Sequence, residues 1–138
     1  MKEIFIDVKL TNYADIEDAE RGFIKKEDIR SVSIKGKLDT GSSVLVIPKS
    51  ISERLGLRKE GEINIEYADG RKDKLPIMSG IKVEINGRFT LTNPVIGSND
   101  KVLISNHIIE AMDFMIDAVE GKVKPRHPEI DGPLEIIE

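Results

Sequence analysis

Asp39 lies in the run Leu38-Asp39-Thr40-Gly41-Ser42, with the apolar stretch Val44-Leu45-Val46-Ile47 close behind it. Asp, Gly and Ser together are ordinary turn residues, favoured by local backbone chemistry. An acid set against an apolar run is less ordinary. A carboxylate withdrawn from water must be hydrogen-bonded or must share a proton, because an isolated buried charge is very costly. Thr40 and Ser42 supply hydroxyls that can orient such an acid or brace its loop. Gly41 lets the backbone turn sharply and brings an N–H close to whatever occupies the site. Asp39 is therefore a candidate catalytic acid or base, and its partner is not evident from the neighbouring residues.

Other chemistries fit less well. Ser42 and Ser43 lack the G-x-S-x-G frame of a serine nucleophile, and His107 and His127 are the only histidines that could serve as a base. Two histidines on a helix and in a Pro-rich tail suit surface or packing roles better than metal ligation. Gly41-Ser42-Ser43 lacks the lysine and spacing of a phosphate-binding loop. There is no cysteine, which removes disulfides, thiolate nucleophiles and Cys-based zinc sites, and fits a reducing compartment. A net charge of -4 without a basic block gives no reason to expect nucleic acid. The start, "MKEIFIDVKL", alternates apolar and polar residues rather than forming a secretory leader, and no run approaches a membrane span. A cytoplasmic protein without membrane or nucleic-acid partners is expected.

The elements that must position Asp39 are mostly strands. The 138 residues suit one domain spanning 1–138. Aromatics make up 4% of the chain, so Ile, Val and Leu must build the core. Ile4, Ile6, Val8 and Leu10 share one face of a strand. Residues 11–30 are a polar excursion, at most a short helix with a weak Ile16, Ala19, Phe23 face. Val32, Ile34 and Leu38 lead a second strand into Asp39, and the apolar run after Ser43 reads as a buried strand. Pro48 suits a helix start, and Gly56 stops a helix carrying Ile51 and Leu55. "EINIEY" is a strand, and Ala68-Asp69-Gly70 carries a hairpin signal, as does Asn86-Gly87. "KLPIM", "IKVEI", "RFTLT", "VLI" and "FMI" are further strands. Ser105 can cap a helix through "NHIIEAM". Glu120-Gly121 marks a turn, and the Pro-rich tail 122–138 is extended or loosely docked. The sum is a mainly β, largely antiparallel, barrel-like domain with one or two short helices.

These segments, in this order, resemble the retropepsin-like (clan AA) aspartic proteases, in particular small single-domain prokaryotic ones. The resemblance runs from about Val32 to Asp117. "LDTGSSVLVIP" is similar to the catalytic loop and "KSISERLGL" to the helix after it. "IEYADGRKDKLP" is similar to the flap hairpin and "VLISNHIIEAMDFMID" to the strand and helix behind the loop. One departure is visible: the family's second segment has two apolar residues and then glycine, where this chain has Leu103-Ile104-Ser105.

The resemblance implies a retropepsin-like acid-protease β-barrel. It also implies an aspartic endopeptidase in which two carboxylates share one proton and activate water. The chain has one Asp-Thr-Gly, and Asp69, Asp100, Asp113 and Asp117 stand in other frames. The partner of Asp39 is then Asp39 of a second copy across a two-fold axis, so a homodimer is expected. On this resemblance Thr40 braces the paired loops, while Gly41 and Ser42 orient the carboxylate. Tyr67, Ala68, Asp69, Gly70 and Arg71 form the flap tip over an extended polypeptide substrate. No metal or other cofactor is called for. The alternative is a non-catalytic dimeric module of the same fold that clasps a peptide.

Overall fold

The computed structural model describes residues 3–138. Alternation builds β1 (Phe5–Asn12): Ile6, Val8 and Leu10 are buried, while Phe5, Asp7 and Lys9 are exposed. After it comes α1 (Tyr13–Glu20), then one turn of 3-10 helix at Lys26–Asp28. β2 (Ser31–Asp39) returns antiparallel to β1, with Leu10 opposite Val32 and Ile6 opposite Gly36. Beyond the Asp39 loop stand β3 (Val46–Pro48) and α2 (Lys49–Leu55).

A hairpin follows, formed by β4 (Lys59–Glu66) and β5 (Lys72–Met78), and then a second, formed by β6 (Ile81–Ile85) and β7 (Arg88–Thr92). The short β8 (Val95–Gly97) leads to β9 (Val102–Ser105) and α3 (Asn106–Ala111). The chain closes with a third hairpin, β10 (Phe114–Asp117) and β11 (Lys122–Pro125). Among the described residues no helix is long and apolar enough to cross a membrane.

Nine strands share one sheet, ordered β4-β5-β8-β3-β9-β2-β1-β6-β7, which curls into a half-barrel, and β10–β11 stands apart. The fold is mainly β and mainly antiparallel, as expected. Two pairings are parallel, β2 with β9 and β3 with β8. The core lies inside the curl, where Leu10, Val83 and Ile104 meet Leu55 of α2 and Ile109 of α3. Each fully buried aliphatic side chain contributes about 1.5–3 kcal/mol by leaving water. Phe114 is the only aromatic in this core among the described residues, so branched aliphatics do fill it.

The helix count differs from the expected one or two: among the described residues there are three α-helices. α1 forms because buried Asn12 caps it, accepting a hydrogen bond from Asp15 N–H at 3.1 Å. The Asn12 amide also donates to Leu55 O at 2.8 Å, tying the start of α1 to the end of α2. Asp15 is buried and receives the Arg30 backbone N–H at 3.0 Å and its guanidinium at 2.9 and 3.0 Å. The segment 11–30 is therefore clamped at both ends, although Phe23 points outward, 73% exposed. Gly56 ends α2 at φ 66°, and a β-carbon there would run into the Arg30 guanidinium.

Two other expectations are refined, and one strand is new. The run Val44–Ile47 is strand only from Val46, and buried Leu45 sits in the preceding loop, its carbonyl accepting Val95 N–H at 3.0 Å. The strand β8, three residues long, carries too little periodicity to be read from sequence. Residues 122–125 of the tail are strand, with Val123 buried opposite Ile116. Beyond the strand, Arg126, His127 and Leu134 of the tail meet Asp113, a buried residue at φ 58°. Its Oδ2 meets His127 Nδ1 at 2.8 Å and accepts Leu134 N–H at 3.1 Å.

Two outcomes follow from this packing. A β-carbon on Gly36 would lie 2.5 Å from Ile104 Cδ1 and 3.2 Å from Val8 Cγ1. Gly36→Ala is expected to lower stability by about 1–3 kcal/mol in urea titration, as overpacked cores do; an unchanged midpoint would show that the site is not tight. The Arg30 hydrogen bonds and charge hold the Asp15 carboxyl below its ordinary value. A depressed carboxyl stabilises the fold above the ordinary carboxylate range, and that contribution is lost as pH falls through the lowered value. Asp15→Asn should therefore be less stable than the parent at neutral pH, with the gap shrinking below about pH 4. A gap that persists unchanged into acid would contradict this.

Candidate active site

The parallel pairing of β2 with β9 places the candidate acid. Leu38 lies opposite Ile104, and Asp39 opposite Ser105. β2 ends at Asp39, and the chain turns at Thr40-Gly41. Asp39 is half-buried; its Oδ1 accepts Gly41 N–H at 3.1 Å, and its backbone carbonyl accepts Ser42 N–H at 3.1 Å. Ser42 Oγ donates to Val44 O at 2.7 Å, fixing the far side of the loop. Oδ2 of Asp39 has no protein hydrogen-bond partner among the described residues. One oxygen is thus held by the loop, and the other is free for water or a second acid.

Gly41 is not required by the loop conformation. An added β-carbon would meet only Asp39 Oδ1, at 3.5 Å, an ordinary contact, and its φ lies outside the left-handed region. Thr40 is exposed.

Asp39 opens onto a cleft of about 520 Å³. Its floor is the loop from Asp39 to Val44, and one wall is β4 from Ile63 to Glu66, continued by Tyr67 and Ala68. The other side is Gly97, Ser98 and Asn99, with Leu103 behind. Four consecutive residues of β4, Ile63 to Glu66, line the cleft, as expected where the free edge of an outer strand runs along it. Gly97 lets β8 approach closely, since a β-carbon there would lie 2.5 Å from Val46 Cγ1.

Asp39, Gly41, Ser42, Tyr67 and Ala68 are thus brought together around one space, and Thr40 lies beside it. Asp69, Gly70 and Arg71 form the exposed tip of the β4–β5 hairpin and do not line the cleft. The tip is a tight turn: Gly70 N–H donates to Tyr67 O at 2.9 Å, with Gly70 at φ 89°. Asp69 accepts the Arg71 backbone N–H at 3.0 Å through Oδ1 and its guanidinium at 2.8 Å through Oδ2, and these two hydrogen bonds, the backbone one first, lower the Asp69 carboxyl. The Arg71 guanidinium lies 4.7 Å from the centre of the Tyr67 ring. Sequence reasoning missed the apolar wall of Val46, Ile63, Ile65, Leu75 and Leu103. Alternation in "EINIEY" marks Ile63 and Ile65 as one face, but nothing in the sequence says what that face meets.

Ser105 is fully buried, and its Oγ accepts Ile108 N–H at 3.3 Å as the cap of α3. The hydroxyl that departs from the retropepsin-like pattern is therefore put to use in the helix. Among the described residues no group of three or more His, Cys, Asp or Glu side chains is placed to hold a metal ion. His107 is exposed, and His127 serves the tail clasp.

Residues 27–116, well over half of the chain, match the family model described as Aspartyl protease. The retroviral protease-like domain of Ddi1 from Leishmania major superposes with a TM-score of 0.55 at 14% identity, covering 96% of this chain and 94% of that one. That likeness shows a retropepsin-like fold. Over 50 residues, 36% of this chain, it is 40% identical to Antitoxin VapB40 of Mycobacterium tuberculosis. The same figures hold for the uncharacterized protein Mb2626 of Mycobacterium bovis. The match spans 62% of the length of these relatives.

The Ser105 cap can be tested directly. Ser105→Ala removes the acceptor for Ile108 N–H and should cost about 1 kcal/mol, whereas Ser105→Gly should cost only a few tenths. Urea midpoints of the two variants check this; an unchanged midpoint in Ser105→Ala would mean that the hydroxyl does not cap α3.

Proposed function

This chain belongs to the aspartyl protease family, and on that premise we propose that it is an aspartic endopeptidase that works as a homodimer. It hydrolyses extended polypeptides with water activated by Asp39 and Asp39 of the partner subunit. The observation that carries the reading is the free Oδ2 of Asp39 at the floor of an open cleft. No second acid of the same chain can serve it. Glu66 is the other carboxylate among the lining residues, but its side chain alternates away from Ile65 and Tyr67 and meets Lys72 at 3.9 Å. The unfilled space over Gly41 and the exposure of Thr40 suit a second loop packed against the first.

Two carboxylates brought into contact cannot both ionise readily, so the pair holds one proton between them and titrates as a unit. The ionised oxygen takes a proton from water as that water attacks the scissile carbonyl. The protonated oxygen donates to the carbonyl oxygen and stabilises the charge that develops there. The free edge of β4 offers main-chain groups to an extended peptide, and the Ile63, Ile65 and Leu103 wall offers apolar pockets.

A non-catalytic peptide-binding dimer of the same fold is the second reading. It is favoured by the Ser105 side chain, which stands directly opposite Asp39 in the strand register where the family pattern has glycine. One experiment separates them. With a fluorogenic peptide library scanned from acid to mildly alkaline pH, Asp39→Asn should lower turnover by about 10²–10⁴-fold. Specific activity should also fall on dilution as the dimer dissociates, followed by sedimentation equilibrium. Peptide binding without any Asp39-dependent cleavage would establish the second reading.

A further inference from the structure

The two faces of the β4–β5 hairpin carry different charge. Ile63 pairs with Leu75, Ile65 with Asp73, and Glu66 with Lys72. Cross-strand partners share a face. Ile63, Ile65, Tyr67 and Leu75 all line the cleft, so Asp73 stands on the cleft-side face by register. Its carboxylate is held in place: the Tyr67 hydroxyl donates to Oδ2 at 3.4 Å and Lys74 N–H to Oδ1 at 2.8 Å.

Every neighbouring cation is engaged or turned away. Arg71 lies across from Tyr67, whose N–H donates to Arg71 O at 2.8 Å, but its guanidinium is matched by Asp69 at 2.8 Å. Lys72 and Lys74 alternate onto the opposite face, where Lys72 meets Glu66. No Lys, Arg or His nitrogen among the described residues lies within ion-pairing distance of Asp73. Asp73 is exposed and stands outside the residues that line the cleft, at its margin by register, while Asp39 lines the floor and adds a second carboxylate. The space under the hairpin therefore presents negative charge without a matching positive one, and a cation from outside completes it.

We propose that Asp73 is a specificity-determining residue that selects a lysine or arginine side chain on the polypeptide lying beneath the hairpin. This rests on the peptide-binding and cleaving role proposed above. The residue acts on substrate binding, so its effect falls on KM more than on kcat. An ion pair open to solvent is modest, so the preference is about three- to fivefold and weakens with salt.

The test uses the full chain and peptide sets that differ at one position at a time, with lysine, glutamine or glutamate there. At one position the parent should favour lysine over glutamine three- to fivefold in kcat/KM. In Asp73→Asn that ratio should fall to near one, and in Asp73→Lys the glutamate peptide should become the better substrate. A parent ratio near one at every position, or a ratio unchanged in Asp73→Asn, overturns the inference while leaving Asp39-dependent cleavage intact. Should no Asp39-dependent cleavage occur, the endopeptidase reading fails instead. The same ratios, taken as Kd by fluorescence anisotropy, then decide the role of Asp73.

Discussion

Parallel pairing of β2 with β9 ties together two strands that are far apart in sequence, and parallel neighbours cannot be joined by a tight turn. Here the connection is residues 40–101. It contains β3, α2, both hairpins and β8, and with them nearly every wall of the cleft. Because Gly36 admits the Ile104 side chain at close range, the two strands lock with Leu38 against Ile104 and Asp39 against Ser105. The position of the acid is thus set by core packing several residues upstream. The loop that carries Asp39 adds only local hydrogen bonds to a geometry already determined.

Features that depend on one or two adjacent residues were legible in the sequence. Asn86 and Gly87 both take positive φ in the β6–β7 turn, Gly56 ends α2 in the left-handed region, and Ser105 caps α3. Each is a local backbone demand answered by a particular residue type. The order of segments around Asp-Thr-Gly-Ser conveyed the retropepsin-like fold. What could not be read rests on distant partners. Asp15 and Arg30 are separated by an excursion with a weak periodic signal, so the clamp that orders 11–30 left no pattern. Ile63, Leu75 and Leu103 read as apolar strand positions, and only the folded chain shows that they border an opening. Gly41 reads as a residue demanded by a sharp turn, yet the turn would accept a β-carbon.

The tail shows the same dependence on long-range partners. Three prolines mark an extended or loosely docked segment rather than a helix. Asp113 supplies the docking point with both its side chain and its backbone: its carbonyl accepts Arg126 N–H at 2.9 Å and the Arg88 guanidinium at 3.0 Å. His127 chiefly, with Leu134 N–H, keeps the Asp113 carboxyl below its ordinary value, so the clasp tolerates mild acid.

The attachment of the β4–β5 hairpin has a mechanical consequence. Its two strands pair along almost their whole length, but β5 meets the rest of the sheet through a single pair, Ile77 with Val95. Hydrogen bonds from Arg58 N–H to Ser79 Oγ and from Met78 N–H to Pro94 O pin its base. A stiff arm anchored at one end behaves as a lever. It can rise and fall as a unit without breaking its internal ladder, because only the bonds near the pivot must adjust. Any movement of the hairpin as a unit turns about Ile77, and the rigid body of the sheet need not deform.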